Sequence, residues 1–136
     1  MDMSAKTAAL IIGVVFVLVG LLGFVNNPVL GIFAVNGLHN VVHLLVGLAL
    51  IGAAAAGRSA SKGVNSLVGA VYLLVGVLGL VVGDGELNLL ALNAPDHALH
   101  FGTAIVLLAV GLAGDRTSAK ETAVTQGHWS GYGGGY

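Results

Sequence analysis

Four long runs of Val, Leu, Ile, Ala and Gly, almost free of charge, are what most restrict the fold of this chain. A helix needs about 20 apolar residues to cross a hydrocarbon core about 30 Å thick. Segments near 7–25, 37–56, 64–82 and 94–113 each come close to that length. Lipid offers the backbone no hydrogen-bond partners, so uninterrupted runs of this length span it as helices. The composition agrees: 57% of the 136 residues are hydrophobic and 8% are charged, whereas a soluble domain carries about 25% charged residues. The expectation is an all-α membrane domain over 1–114 with four transmembrane helices. Residues 115–136 turn polar and then Gly/Tyr-rich, the composition of a disordered tail.

The few charges carry topology. All five basic residues fall on one side of the expected helices: Lys6 before the first, Arg58 and Lys62 between the second and third, Arg116 and Lys120 after the fourth. The opposite loops, 26–36 and 83–93, hold neither Lys nor Arg. By the positive-inside rule both termini are expected in the cytoplasm, with the chain multi-pass in the inner (plasma) membrane. A net charge of -1 argues against nucleic acid as a partner. The chain has no cysteine, which removes thiolate metal sites, iron–sulfur clusters and covalent c-type haem.

The chain also repeats itself. Gly13-Val-Val-Phe-Val-Leu-Val-Gly-Leu-Leu-Gly-Phe-Val25 aligns with Gly69-Ala-Val-Tyr-Leu-Leu-Val-Gly-Val-Leu-Gly-Leu-Val81, with eight of thirteen positions identical. One inserted residue then brings Asn36-Gly-Leu-His39-Asn40-Val-Val-His43 onto Asn93-Ala-Pro-Asp96-His97-Ala-Leu-His100. Each copy is a two-helix hairpin, so the expected architecture is 2+2, two parallel repeats related by a pseudo-twofold axis along the membrane normal. The glycines of the first and third helices offer smooth faces for close helix approach.

The doubled polar window is the candidate site. At 100° per residue, Asn36, His39, Asn40 and His43 share an arc of about 100° on the second helix, and Asn93, Asp96, His97 and His100 share the same arc on the fourth. A lipid-facing stripe of this kind is costly, so both should point into the bundle. Asn36 and Asn93 have the character of N-caps, and Asn93 with Asp96 that of a capping box, with Pro95 in the first turn. Capping leaves His43 and His100 unexplained, two turns in. One reading is a hydrogen-bonded cluster locking helices two and four at the outer leaflet. Another is ligation: His39 and His43 are one turn apart and suited to one ion, and His43 with His100 could be opposed haem ligands, with His97 beside them and Asn40 or Asp96 orienting the rings. If the axis runs between helices two and four, His43 and His100 face each other. A third reading is a proton or ion pathway.

At His39-Asn40-Val-Val-His43-Leu-Leu-Val-Gly47 and Asn93-Ala-Pro-Asp96-His97-Ala-Leu99-His100 the chain resembles the bacterial four-helix membrane proteins catalogued as domain of unknown function forty-three eighty-three. The resemblance covers roughly 6–113, including Lys6-Thr-Ala and Tyr72. It implies a four-helix membrane architecture and brings no activity with it. Members commonly carry Asn after the Asp, where this chain has His97, so no shared role is extended to that residue.

No nucleophile–base pair or phosphate loop accompanies these residues, and the glycines follow helix faces. The expected function is therefore non-enzymatic: a small membrane scaffold or accessory subunit. Its partners would be lipid and other integral membrane proteins, or further copies of itself. No cofactor is required by this reading; haem or a divalent metal is the alternative.

Overall fold

The computed structural model describes residues 4–113; the expected tail over 115–136, with Arg116 and Lys120, lies outside them. Apolar length becomes helix in all four places: α1 (Ala5–Gly23), α2 (Gly37–Ala56), α3 (Arg58–Val82) and α4 (Ala94–Leu112). Each is long and apolar enough to cross a membrane, the pattern of a multi-pass membrane protein.

Two helix boundaries differ from expectation. α1 starts at Ala5 because Ser4 caps it, its Oγ accepting the Thr7 N–H at 3.1 Å. α3 starts at Arg58 instead of near 64. Hydropathy marks only the lipid-soluble part of a helix, and the polar segment 58–63 continues the same helix beyond it. The turn from α2 to α3 is made by Gly57 alone, at φ 116°, a backbone conformation that favours glycine.

Small residues set how the helices pair. A Cβ on Gly13 would stand 2.8 Å from the Gly47 carbonyl oxygen, and one on Gly47 would stand 2.7 Å from that of Gly13, so α1 and α2 touch backbone to backbone. In the second hairpin Gly69 lies under Leu108, and Gly111 against Ser66. Without a hydrophobic drive between helices in lipid, such close packing and interhelical hydrogen bonds hold a bundle together. The two hairpins meet through α1 on α3, α2 on α3 and α1 on α4, while α2 and α4 do not approach each other at the backbone. Between the helices lie Phe16, Leu50, Val68, Tyr72, Ala104 and Leu107, all buried. The larger aliphatics, among them Leu18, Leu45, Leu74 and Ile105, face outward, as lipid-exposed side chains do.

The long connections 24–36 and 83–93 lie together at one end of the bundle, called here the loop end; Ser4 and Gly57 mark the other. Val29, Val35 and Leu92 turn inward from these loops and are buried. Each loop is clipped by an asparagine whose carboxamide mimics a peptide group. Asn27 donates to the Val35 carbonyl at 2.7 Å and accepts the Val35 N–H at 3.2 Å. Asn88 donates to the Leu92 carbonyl at 2.8 Å and accepts the Leu92 N–H at 2.9 Å.

Candidate functional site

The polar windows fold at the first turns of α2 and α4, beneath the loops. Asn36 is the N-cap of α2: its Oδ1 accepts the His39 N–H at 2.9 Å. Asn93 is the N-cap of α4: its Oδ1 accepts the Asp96 N–H at 3.1 Å. Asp96 Oδ2 accepts the Asn93 N–H at 2.9 Å, which completes a capping box. Each cap also reaches into the other hairpin. Asn36 Nδ2 donates to the Leu89 carbonyl and Asn93 Nδ2 to the Ile32 carbonyl, both at 2.8 Å. A cap normally satisfies only its own helix; these two also tie the loops to each other.

One turn further in, His39 and His43 face each other on α2. Their Nε2 atoms are 2.9 Å apart, so one carries the proton and the other accepts it. On α4, His100 Nδ1 lies 2.7 Å from the Asp96 carbonyl oxygen. A carbonyl only accepts, so Nδ1 of His100 is the protonated nitrogen. The ring contact between α2 and α4 joins His39 to His100, with centroids 5.9 Å apart. His43 reaches the second hairpin through Tyr72 of α3, at 6.5 Å. An axis between α2 and α4 would have His43 facing His100; the ring contact between these helices is made by His39 instead. The physical reason for the difference is that α1 and α3 approach each other instead, and Tyr72 projects from α3 between the two histidines.

Tyr72 stacks on His100, centroids 4.9 Å apart and planes at 18°, and on Phe16, 5.2 Å apart and at 22°. Phe16 in turn meets His43 edge-on at 4.9 Å. Phe16, His43, Tyr72 and His100 thus form a ring-to-ring chain with one member from each helix. All are at least 95% buried. Such aromatic contacts contribute about 0.5–1.5 kcal/mol each beyond the area they bury.

Asn40 and His97 have a different setting. The Asn40 carboxamide fills the space above Gly23, where a Cβ would overlap its oxygen. The His97 ring lies over Gly79, where a Cβ would overlap its Cε1. Asn40 thereby packs α1 on α2, and His97 packs α3 on α4. Four side-chain atoms in this half of the bundle are buried without a hydrogen-bond partner among the described residues: Nδ1 of His39, His43 and His97, and Oδ1 of Asn40. Among the same residues no three His, Asp or Glu side chains are grouped so as to hold a metal ion.

Sequence reasoning missed Phe16 as a contributor, although it aligns with Tyr72 in the repeated segment. It also missed Ser61 and Asn65 at the far end, both fully buried on α3. Asn65 Nδ2 donates to the Ala5 carbonyl at 2.8 Å, and Ser61 Oγ donates to the Ala53 and Gly57 carbonyls at 3.1 and 2.8 Å. Ser61 lies in the polar extension 58–63 that hydropathy leaves out, whereas Asn65 lies inside the expected span; the available signal was their spacing of four, which puts both polar side chains on one face of α3.

The family described as Domain of unknown function (DUF4383) matches residues 6–113. The chain belongs to this family. The DUF4383 match takes in nearly all of the four helices and both long loops, so every ring contact and both double caps lie inside it. No curated protein and no solved structure matches the chain.

Proposed function

We propose that this DUF4383 protein is a small, non-enzymatic membrane scaffold or accessory subunit of a larger membrane assembly, and that its polar windows fasten one hairpin to the other. The observation that carries the reading is the pair of crossed caps, Asn36 to the Leu89 carbonyl and Asn93 to the Ile32 carbonyl. Beneath them, buried rings from all four helices are in mutual contact, the arrangement of a joint. Its partners are lipid and other integral membrane proteins, or further copies of the chain.

The same reading includes a duplicated hairpin with a pseudo-twofold axis along the membrane normal. Contacts that recur at the aligned positions support it. Phe16 on His43 corresponds to Tyr72 on His100, and Asn40 over Gly23 to His97 over Gly79. Leu44 beside Gly20 corresponds to Phe101 beside Gly76. With Lys6, Arg58 and Lys62 at the end opposite the loops, the proposed orientation has both termini in the cytoplasm and the loops outside, in the plasma membrane.

The test is cofactor analysis of the purified full chain beside stability measurements. Wild type is expected to carry no stoichiometric haem or metal, and His43→Leu and His100→Leu to lower the melting temperature in mild detergent. Stoichiometric haem by absorption, or metal by mass spectrometry, lost in those variants, would refute the scaffold reading. One observation favours a metal reading as the second possibility. The Nε2 atoms of His39 and His43 converge from adjacent turns of one helix to 2.9 Å, and imidazole nitrogen is a common ligand of divalent metals. The same metal analysis decides between them.

A further inference from the structure

At the end opposite the loops, α1 and α2 part to leave a groove of about 520 Å³. Its cause is legible in the chain: α2 ends in Gly52-Ala-Ala-Ala-Ala56, which has no side chain large enough to fill the space beside α1. The groove is graded along the helix axis. Leu10 and Ile51 wall its deeper part, Ala54 forms its floor, and Ser4, Lys6 and Thr7 stand at its mouth. Lys6 is exposed, and the Ser4 and Thr7 hydroxyls lie 2.9 Å apart beside it. The charge at this end has one sign among the described residues: Lys6, Arg58 and Lys62 are here, and Asp84, Glu86 and Asp96 are all at the loop end.

We propose that this groove is a binding site for one anionic phospholipid. The phosphate would lie against the Lys6 ammonium and the two hydroxyls, and an acyl chain would run inward along Leu10 and Ile51. The volume falls within the range of about 300–1,000 Å³ typical of ligand sites. A cation at the mouth of an apolar slot is complementary to an anionic headgroup followed by a hydrocarbon chain. The proposal rests on the membrane reading of the four helices.

The full chain, purified in mild detergent and delipidated, is given equal amounts of phosphatidylglycerol and phosphatidylcholine, and retained lipid is read by native mass spectrometry. One phosphatidylglycerol per chain is expected in preference to phosphatidylcholine. Lys6→Gln is expected to reduce that preference about fivefold, the effect of one basic residue at an anionic surface. Ala55 also lines the groove; Ala55→Leu, which fills it and leaves Lys6 in place, should reduce retention of both lipids. Monodisperse elution and an unchanged melt of the lipid-free variants verify that they fold. Equal retention of the two lipids by wild type, or phosphatidylglycerol retention unaltered in both variants, overturns the proposal. Flotation of wild type with phosphatidylcholine vesicles separates the two failures. A chain that floats without preferring phosphatidylglycerol loses only the lipid site, and one that does not float loses the membrane reading as well.

Discussion

Residue by residue, the buried polar groups divide by what they touch. His43 shares a proton with His39, so His43→Leu strands the His39 Nε2 in an apolar interior. An unsatisfied buried group costs about 1–3 kcal/mol, and a thermal melt in detergent should show a loss of that size. His100→Leu removes a donor from the Asp96 carbonyl and a stacking partner from Tyr72, with a loss in the same range. Glycines supply a matched control. Gly23→Ala drives a methyl group into the Asn40 carboxamide, and Gly52→Ala meets nothing within 4 Å. Overpacking costs about 1–3 kcal/mol, so Gly23→Ala should lower the melting temperature and Gly52→Ala should leave it unchanged or slightly raised. Equal melts for the two variants would remove the close-approach argument.

Among the elements, the N-termini of α2 and α4 carry more than helix starts. Loss of a polar cap costs about 0.5–2 kcal/mol. Asn36→Ala and Asn93→Ala each also lose a hydrogen bond to the opposite loop, at Leu89 and Ile32. Both are expected at the upper end of that range, about 2 kcal/mol. Because the two bonds brace the same pair of loops, the double variant should cost less than the sum of the singles, and a double-mutant cycle measures the difference. Additive effects would mean that each cap serves its own helix alone. The N-caps and the capping box were legible in the sequence, since Asn at the edge of an apolar run with Asp three residues on is a local pattern. The crossing bonds were not, because Asn36 and Leu89 are far apart in the chain and no local signal links them.

For the whole molecule, the proposed orientation makes a direct prediction. A cysteine introduced at Glu86, in an exposed loop, should react with a membrane-impermeant thiol reagent added outside cells. One introduced at Ser59, exposed near the start of α3, should react only after permeabilisation. The wild-type chain has no cysteine, so the labelling reads one position at a time. The reverse pattern would invert the topology and leave the packing argument untouched. At this scale the bundle is held by few large buried side chains and many small contacts, which follows from lipid being as apolar as the helices it surrounds.

By itself the sequence determined the number of helices, their approximate spans and the starts of α2 and α4. Each depends on local quantities: the length of an apolar run, the cost of charge in lipid, and the capping preference of Asn. It also brought out the four histidines of the two windows as groups that lipid would not tolerate. Only the tertiary structure decided their partners. His39, rather than His43, meets His100; Tyr72 and Phe16 bridge the hairpins; and His97 is drawn aside onto Gly79. These pairings depend on which helices approach most closely, and that is decided by where small residues permit backbone contact on both partners at once. A single helix pattern cannot specify such a two-sided condition, and so the site could be located from the sequence but not assembled from it.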